Sequence, residues 1–117
     1  MRKSLEKRTF SWGRSTQHHI ISRTVGGPDV PENIYEWPED KHYAYHKLFR
    51  NYLPFVVIQR IKGWMTKEGN LNIKKMGKKR LEYWERVFDG QKPSDVIRFI
   101  EENFLPVEKK FLKGELK

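Results

Sequence analysis

The 117-residue chain contains no cysteine. That excludes disulfides, and it also excludes the Cys-x-x-Cys zinc knuckles that brace many small metal-binding domains. No apolar run approaches the ~18 residues that a membrane-spanning helix requires. The opening stretch, Met1-Arg2-Lys3-Ser4-Leu5-Glu6-Lys7-Arg8, is charged and leads into no apolar segment. No secretory signal and no membrane partner are therefore expected, and a cytoplasmic protein held together by packing alone is the plain expectation. Acids are scarce relative to bases: 15 Asp and Glu against 24 Lys and Arg leave a formal charge of +9.

What the chain does have is aromatic. Four Trp, five Tyr and seven Phe give it the apolar bulk for a core despite its polarity. The length suits one small domain over residues 1–117. The bases are clustered. Residues 2–14 hold five against a single acid, and residues 62–80 hold seven (Lys62, Lys67, Lys74, Lys75, Lys78, Lys79 and Arg80) against Glu68 alone. Residues 28–40 reverse the pattern, with five acids and no base. Clustered Lys and Arg gain from counterion release on a polyanion, which points to nucleic acid; an ordinary solvated surface is the alternative.

Read for elements, the chain opens with a basic arm over 1–14 and a core over 15–51, followed by a helical extension over 52–117. Gln17–Ser22 has the character of a strand and Arg23–Glu32 that of a loop, punctuated by Gly26-Gly27-Pro28 and Pro31. Asn33–Trp37 reads as a second short strand. Pro38-Glu39-Asp40 is a helix start, with proline in the first turn and acids at the positive end of the dipole, and that helix should reach about Arg50. Further on, the Lys74–Phe88 stretch reads as one basic amphipathic helix with Leu81, Trp84, Val87 and Phe88 as its apolar stripe. The segment from Tyr45 to Ile61 is echoed by Trp84 to Ile100 at an offset of 39 residues. Both copies read as helix end, turn, and a new helix opening at proline and burying Val-Ile-x-x-Ile. Glu85 stands where the first copy has His46, so the second copy is expected to be structural or to bind a protein partner.

All four histidines fall in one 29-residue window: His18-His19, then His42 and His46, with Asn33 between the pairs. Adjacent residues on a strand point to opposite faces, and residues four apart on a helix share one face. A strand and a helix can therefore bring three imidazoles to one point and leave the fourth nearby. Three neutral ligands with an open position is the arrangement of a catalytic metal site.

The stretch His18-His19-Ile20-Ile21-Ser22-Arg23-Thr24-Val25-Gly26-Gly27, then Glu32-Asn33-Ile34, then His42-Tyr43-Ala44-Tyr45-His46 resembles the HNH (His-Me finger, ββα-metal) nucleases. The colicin-type version, with its His-x-x-x-His helix, is the nearest in pattern. The likeness covers about residues 16–50, and two positions depart from it: Ser22 where proline is usual and Thr16 where an acid is common. The resemblance implies an α+β fold, a small ββα-metal finger followed by a mostly helical C-terminal extension. It implies an endonuclease that hydrolyses phosphodiester bonds in DNA, or RNA, leaving 5′-phosphate and 3′-hydroxyl ends. His18, His42 and His46 would hold one divalent ion (Mg, Mn, Zn or Ni), and His19 would be the general base. Asn33 would brace the loop and orient His19. Arg23 would contact phosphate, and Lys74, Lys75, Lys78, Lys79 and Arg80 would bind the nucleic acid more widely. The rival expectation is a catalytically silent module that keeps the fold and binds nucleic acid, or a metal-stabilised module that docks a protein.

Overall fold

The computed structural model describes residues 14–117, so the expected basic arm lies outside the described residues except for Arg14. The fold is α+β. Strand β1 (Ser15–His19) pairs antiparallel with β2 (Ile34–Pro38), and the hairpin packs on helix α1 (Glu39–Phe49). Five further helices follow: α2 (Pro54–Gly63), α3 (Ile73–Met76), α4 (Lys78–Phe88), α5 (Pro93–Asn103) and α6 (Leu105–Leu112). None of the described helices is long and apolar enough to cross a membrane.

The hairpin register sorts its side chains. Thr16 lies opposite Trp37 and His18 opposite Tyr35, while Gln17 faces Glu36 and His19 faces Ile34. Directly opposed residues share a face. Thr16, His18, Tyr35 and Trp37 therefore form one face, on which His18 and Trp37 are buried, and Gln17, His19, Ile34 and Glu36 form the other.

β1 ends three residues earlier than the expected Gln17–Ser22, and it starts two earlier. The reason is Asn33. Its side chain accepts from Ile21 N at 2.8 Å and donates to Ile21 O at 3.0 Å, taking the groups that a longer ladder would have used. A third bond, to Pro28 O at 2.9 Å, closes the loop over itself. Gly27 is required beneath this clasp, because a Cβ there would lie 1.7 Å from Ile21 O.

The single helix expected over Lys74–Phe88 is two. Gly77 sits at φ 88°, ψ 157°, a conformation open essentially to glycine alone, and it separates α3 from α4. Trp84, Val87 and Phe88 are buried as expected, while Leu81 is only half-buried. The 39-residue echo is real in three dimensions. Arg50 (φ 50°) and Asp89 (φ 53°) both turn the chain out of a helix, Pro54 and Pro93 open the next one, and Val57, Ile58 and Ile61 are buried like Val96, Ile97 and Ile100. The copies pack together, α1 on α4 and α2 on α5. The buried carboxylate of Glu108 on α6 ties that helix to the first copy by accepting from Phe55 N, in the first turn of α2, at 2.9 Å.

Candidate metal centre

His18 projects from the inner face of β1 toward α1, and it is 2% exposed. Its ring is surrounded by Tyr45, Trp37 and Phe104, with centroids 4.7, 5.5 and 5.8 Å away. Neither ring nitrogen has a hydrogen-bond partner. An imidazole buried this way leaves both a donor and an acceptor unsatisfied, which costs free energy unless something else binds there. Burial, followed by the neighbouring His46, His42 and His19, pushes its pKa down to about 3, so the ring is neutral at ordinary pH.

His42 and His46 lie one turn apart on α1 and are half-buried. One ring nitrogen from each of the three histidines lies within 4.8 Å of the others. Two nitrogens on a tetrahedral zinc at 2.0–2.1 Å are about 3.3 Å apart, so modest ring rotations close the gap.

The protonation of two rings can be read from their partners. The Thr16 hydroxyl donates to Trp37 O at 2.8 Å, so it can only accept from His42 Nδ1 at 2.9 Å. His46 Nδ1 lies 2.8 Å from Arg50 O, a carbonyl that can only accept. Both Nδ1 atoms therefore carry a proton, and in the neutral rings each Nε2 keeps its lone pair. A metal-ligating histidine typically donates its second N–H in this way, to a carbonyl or other acceptor that fixes the ring. Burial first, then His46 and His19, lowers the His42 pKa and keeps it in the ligand-competent form.

This donor set fits a divalent ion. Comparison with protein-family models, curated proteins and solved structures gives no match. The reading therefore rests on the site itself.

His42 and His46 open onto a cleft of about 470 Å³, shared with Thr16, Glu39, Tyr43 and Lys47. His19, on the opposite face of β1, lines a second cleft of about 670 Å³ together with Gln17, Arg23, Asp29 and Glu36. Asn33 braces the loop but does not touch the His19 ring. Asp29 holds it instead, with Oδ1 2.6 Å from His19 Nε2 and Oδ2 3.3 Å from Arg23. The hydrogen bond from His19 holds the Asp29 carboxyl below its usual range, with Arg23 adding to the effect. A carboxylate can only accept, so Nε2 carries a proton, and in the neutral ring Nδ1 keeps the lone pair.

Lys74, Lys75, Lys78 and Lys79 are exposed on α3 and α4. Arg80 is partly used within the fold: it donates to Met76 O at 2.8 Å and lies 5.9 Å from the Trp64 ring. Sequence reasoning gave no role to Thr16 or Asp29. A signal for Thr16 existed, since it is two residues before His18 and so on the same strand face. Asp29 had only its place in an acidic loop.

Proposed function

We propose that this protein is a metal-dependent phosphodiesterase of the HNH type, acting on nucleic acid, with DNA as the first substrate to try. The observation that carries the reading is His18: a buried imidazole with two unpartnered nitrogens, grouped with two histidines so that one ring nitrogen from each lies within 4.8 Å of the others. His18, His42 and His46 would hold one divalent ion, which supplies Lewis-acid stabilisation of phosphate charge when bound. The remaining work falls to the chain. His19 takes a proton from water at Nδ1, and Asp29 fixes its tautomer and orientation through Nε2, as the carboxylate does in hydrolase triads. Arg23, which pairs with Asp29 on the same cleft, would meet a phosphate oxygen.

The depth of His18 favours a second reading, in which an ion merely ties β1 to α1. Plasmid nicking with Mn²⁺ or Zn²⁺, set beside calorimetric metal titration, separates the two. His19→Ala is expected to leave metal affinity nearly intact and to lower the nicking rate by about 10²–10⁴. His42→Ala is expected to weaken metal binding and nicking together, with partial recovery in excess metal. Metal binding without any nicking by the parent protein leaves the structural reading; equal metal affinity in His42→Ala and the parent removes the ligand assignment.

A further inference from the structure

The α1 wall of the metal cleft packs against α4. Tyr43 and Lys47 line that cleft from α1, and Lys47 Nζ lies 5.3 Å from the Tyr43 ring centroid. On α4, Lys79 Nζ lies 5.9 Å from the Tyr83 centroid, the same i, i+4 pairing in an adjacent helix. The two rings meet across the seam at 6.3 Å, nearly edge to face. The helices run antiparallel here, since Lys41 at the start of α1 pairs with Asp89 at the end of α4. The result is a row of two phenols and two ammoniums running from the cleft of His42 and His46 onto α4, whose first turn also carries Lys78.

We propose that this row binds single-stranded nucleic acid and leads it to or from the metal centre. The exposed Tyr43 ring and the half-buried Tyr83 ring, beside flexible ammoniums, fit that ligand, because unpaired bases stack on aromatic faces while lysines follow the phosphates. A duplex hides its base faces and would use only the charges. Each ammonium is held over its ring by a weak, exposed cation–π attraction, so it turns to a phosphate at little cost. The core aromatics Tyr45, Trp84 and Phe104 are buried and take no part. The direction of the track rests on the phosphodiesterase reading; the binding itself does not.

Fluorescence anisotropy in EDTA, with one labelled oligonucleotide as single strand and as duplex, tests it without cleavage. Tyr83→Leu keeps apolar bulk at a half-buried position and is expected to weaken single-strand binding about 5- to 150-fold, the loss of one stacked base. Duplex binding should change by less than about twofold, and Tyr83→Phe should restore single-strand affinity. Equal losses on both ligands, or none on either, overturn the proposal. Photocrosslinking of a halogenated-uracil single strand to the unmutated protein gives an answer independent of folding: adducts on Tyr43 or Tyr83 support the track, and their absence from both overturns it. Failure of plasmid nicking would remove the phosphodiesterase reading and leave these metal-free results standing.

Discussion

Replacing His18 by leucine should stabilise the metal-free protein and abolish its response to metal. The side chain is 2% exposed, and both nitrogens lack partners. Each unsatisfied buried polar group costs about 1–3 kcal/mol, so the pair costs about 2–6 kcal/mol in the metal-free state. Leucine has nearly the same volume, but it forfeits the ring packing against Tyr45, Trp37 and Phe104. The missing aromatic packing and imperfect shape return about 1–3 kcal/mol. The net change for His18→Leu in EDTA is therefore a gain centred on about 2 kcal/mol. With metal at a hundred times Kd, the parent gains about 2.7 kcal/mol by mass action and the variant gains nothing. The order of stability should thus close up or invert between the two conditions. Urea unfolding followed by tryptophan fluorescence, in EDTA and in Zn²⁺ or Mn²⁺, measures both differences. A variant clearly less stable than the parent in EDTA would show that the imidazole is satisfied in some other way. A variant stabilised by metal as much as the parent would show that His18 is not a ligand.

Asn33→Ala should cost about 3–5 kcal/mol, because it strands Ile21 N, Ile21 O and Pro28 O at once; Gly27→Ala should be at least comparable, since its Cβ would meet Ile21 O at 1.7 Å. Both are read from urea midpoints, and a loss under about 1 kcal/mol in either would mean that the loop is not clasped as described. In EDTA, stability should fall as pH drops from about 6.5 toward 3, by as much as about 5 kcal/mol, because the unfolded His18 takes a proton throughout that window while the folded ring resists it to about 3; thermal melts across that range check it, and a flat profile from which His18→Leu does not differ contradicts it. Charge reversal at Lys74, Lys75, Lys78 and Lys79 together should weaken binding to all nucleic acid sequences alike and flatten the salt dependence, by a slope of about 0.7–0.9 for each phosphate that is no longer neutralised, in titrations at several salt concentrations.

The part of the site that follows from chain periodicity was legible in the sequence. Alternation along a strand separates His18 from His19, and four-residue spacing on a helix stacks His42 on His46, whatever the rest of the fold does. The groups that hold those rings were not legible, because they depend on distances between elements. Thr16 reaches His42 only because Thr16 pairs with Trp37 and the hairpin lies on α1 at that height. Asp29 reaches His19 only because the Asn33 clasp folds the ten-residue loop back beneath β1; the sequence suggested Asn33 for that task. Helix starts set by proline are legible at Pro54 and Pro93, where the missing N–H and fixed φ suit a first turn. The split at Gly77 is not, since one glycine inside an amphipathic pattern weakens a helix without necessarily breaking it.

The duplicated helical hairpin explains why the histidines can occupy α1 at all. A metal site needs its ligands held to a fraction of an ångström, which loops rarely achieve. α1 buries Ala44, Tyr45, Leu48 and Phe49, and its partner across the repeat, α4, packs along it with Trp84, Val87 and Phe88. The N-terminal half of α1, where His42 sits, is further tied down by Lys41, whose ammonium donates to Arg86 O at 3.1 Å, Val87 O at 3.3 Å and the Asp89 carboxylate at 3.1 Å. A cation on the last carbonyls of a helix is favoured by the helix dipole, so this tie stabilises α4 as it positions α1. The edge of α1 that faces β1 is thereby held in place against His18 and can carry His42 and His46. The matching edge of α4 carries Leu81 and Glu85 at the same repeat positions, so the second copy repeats the helical packing without the two histidines.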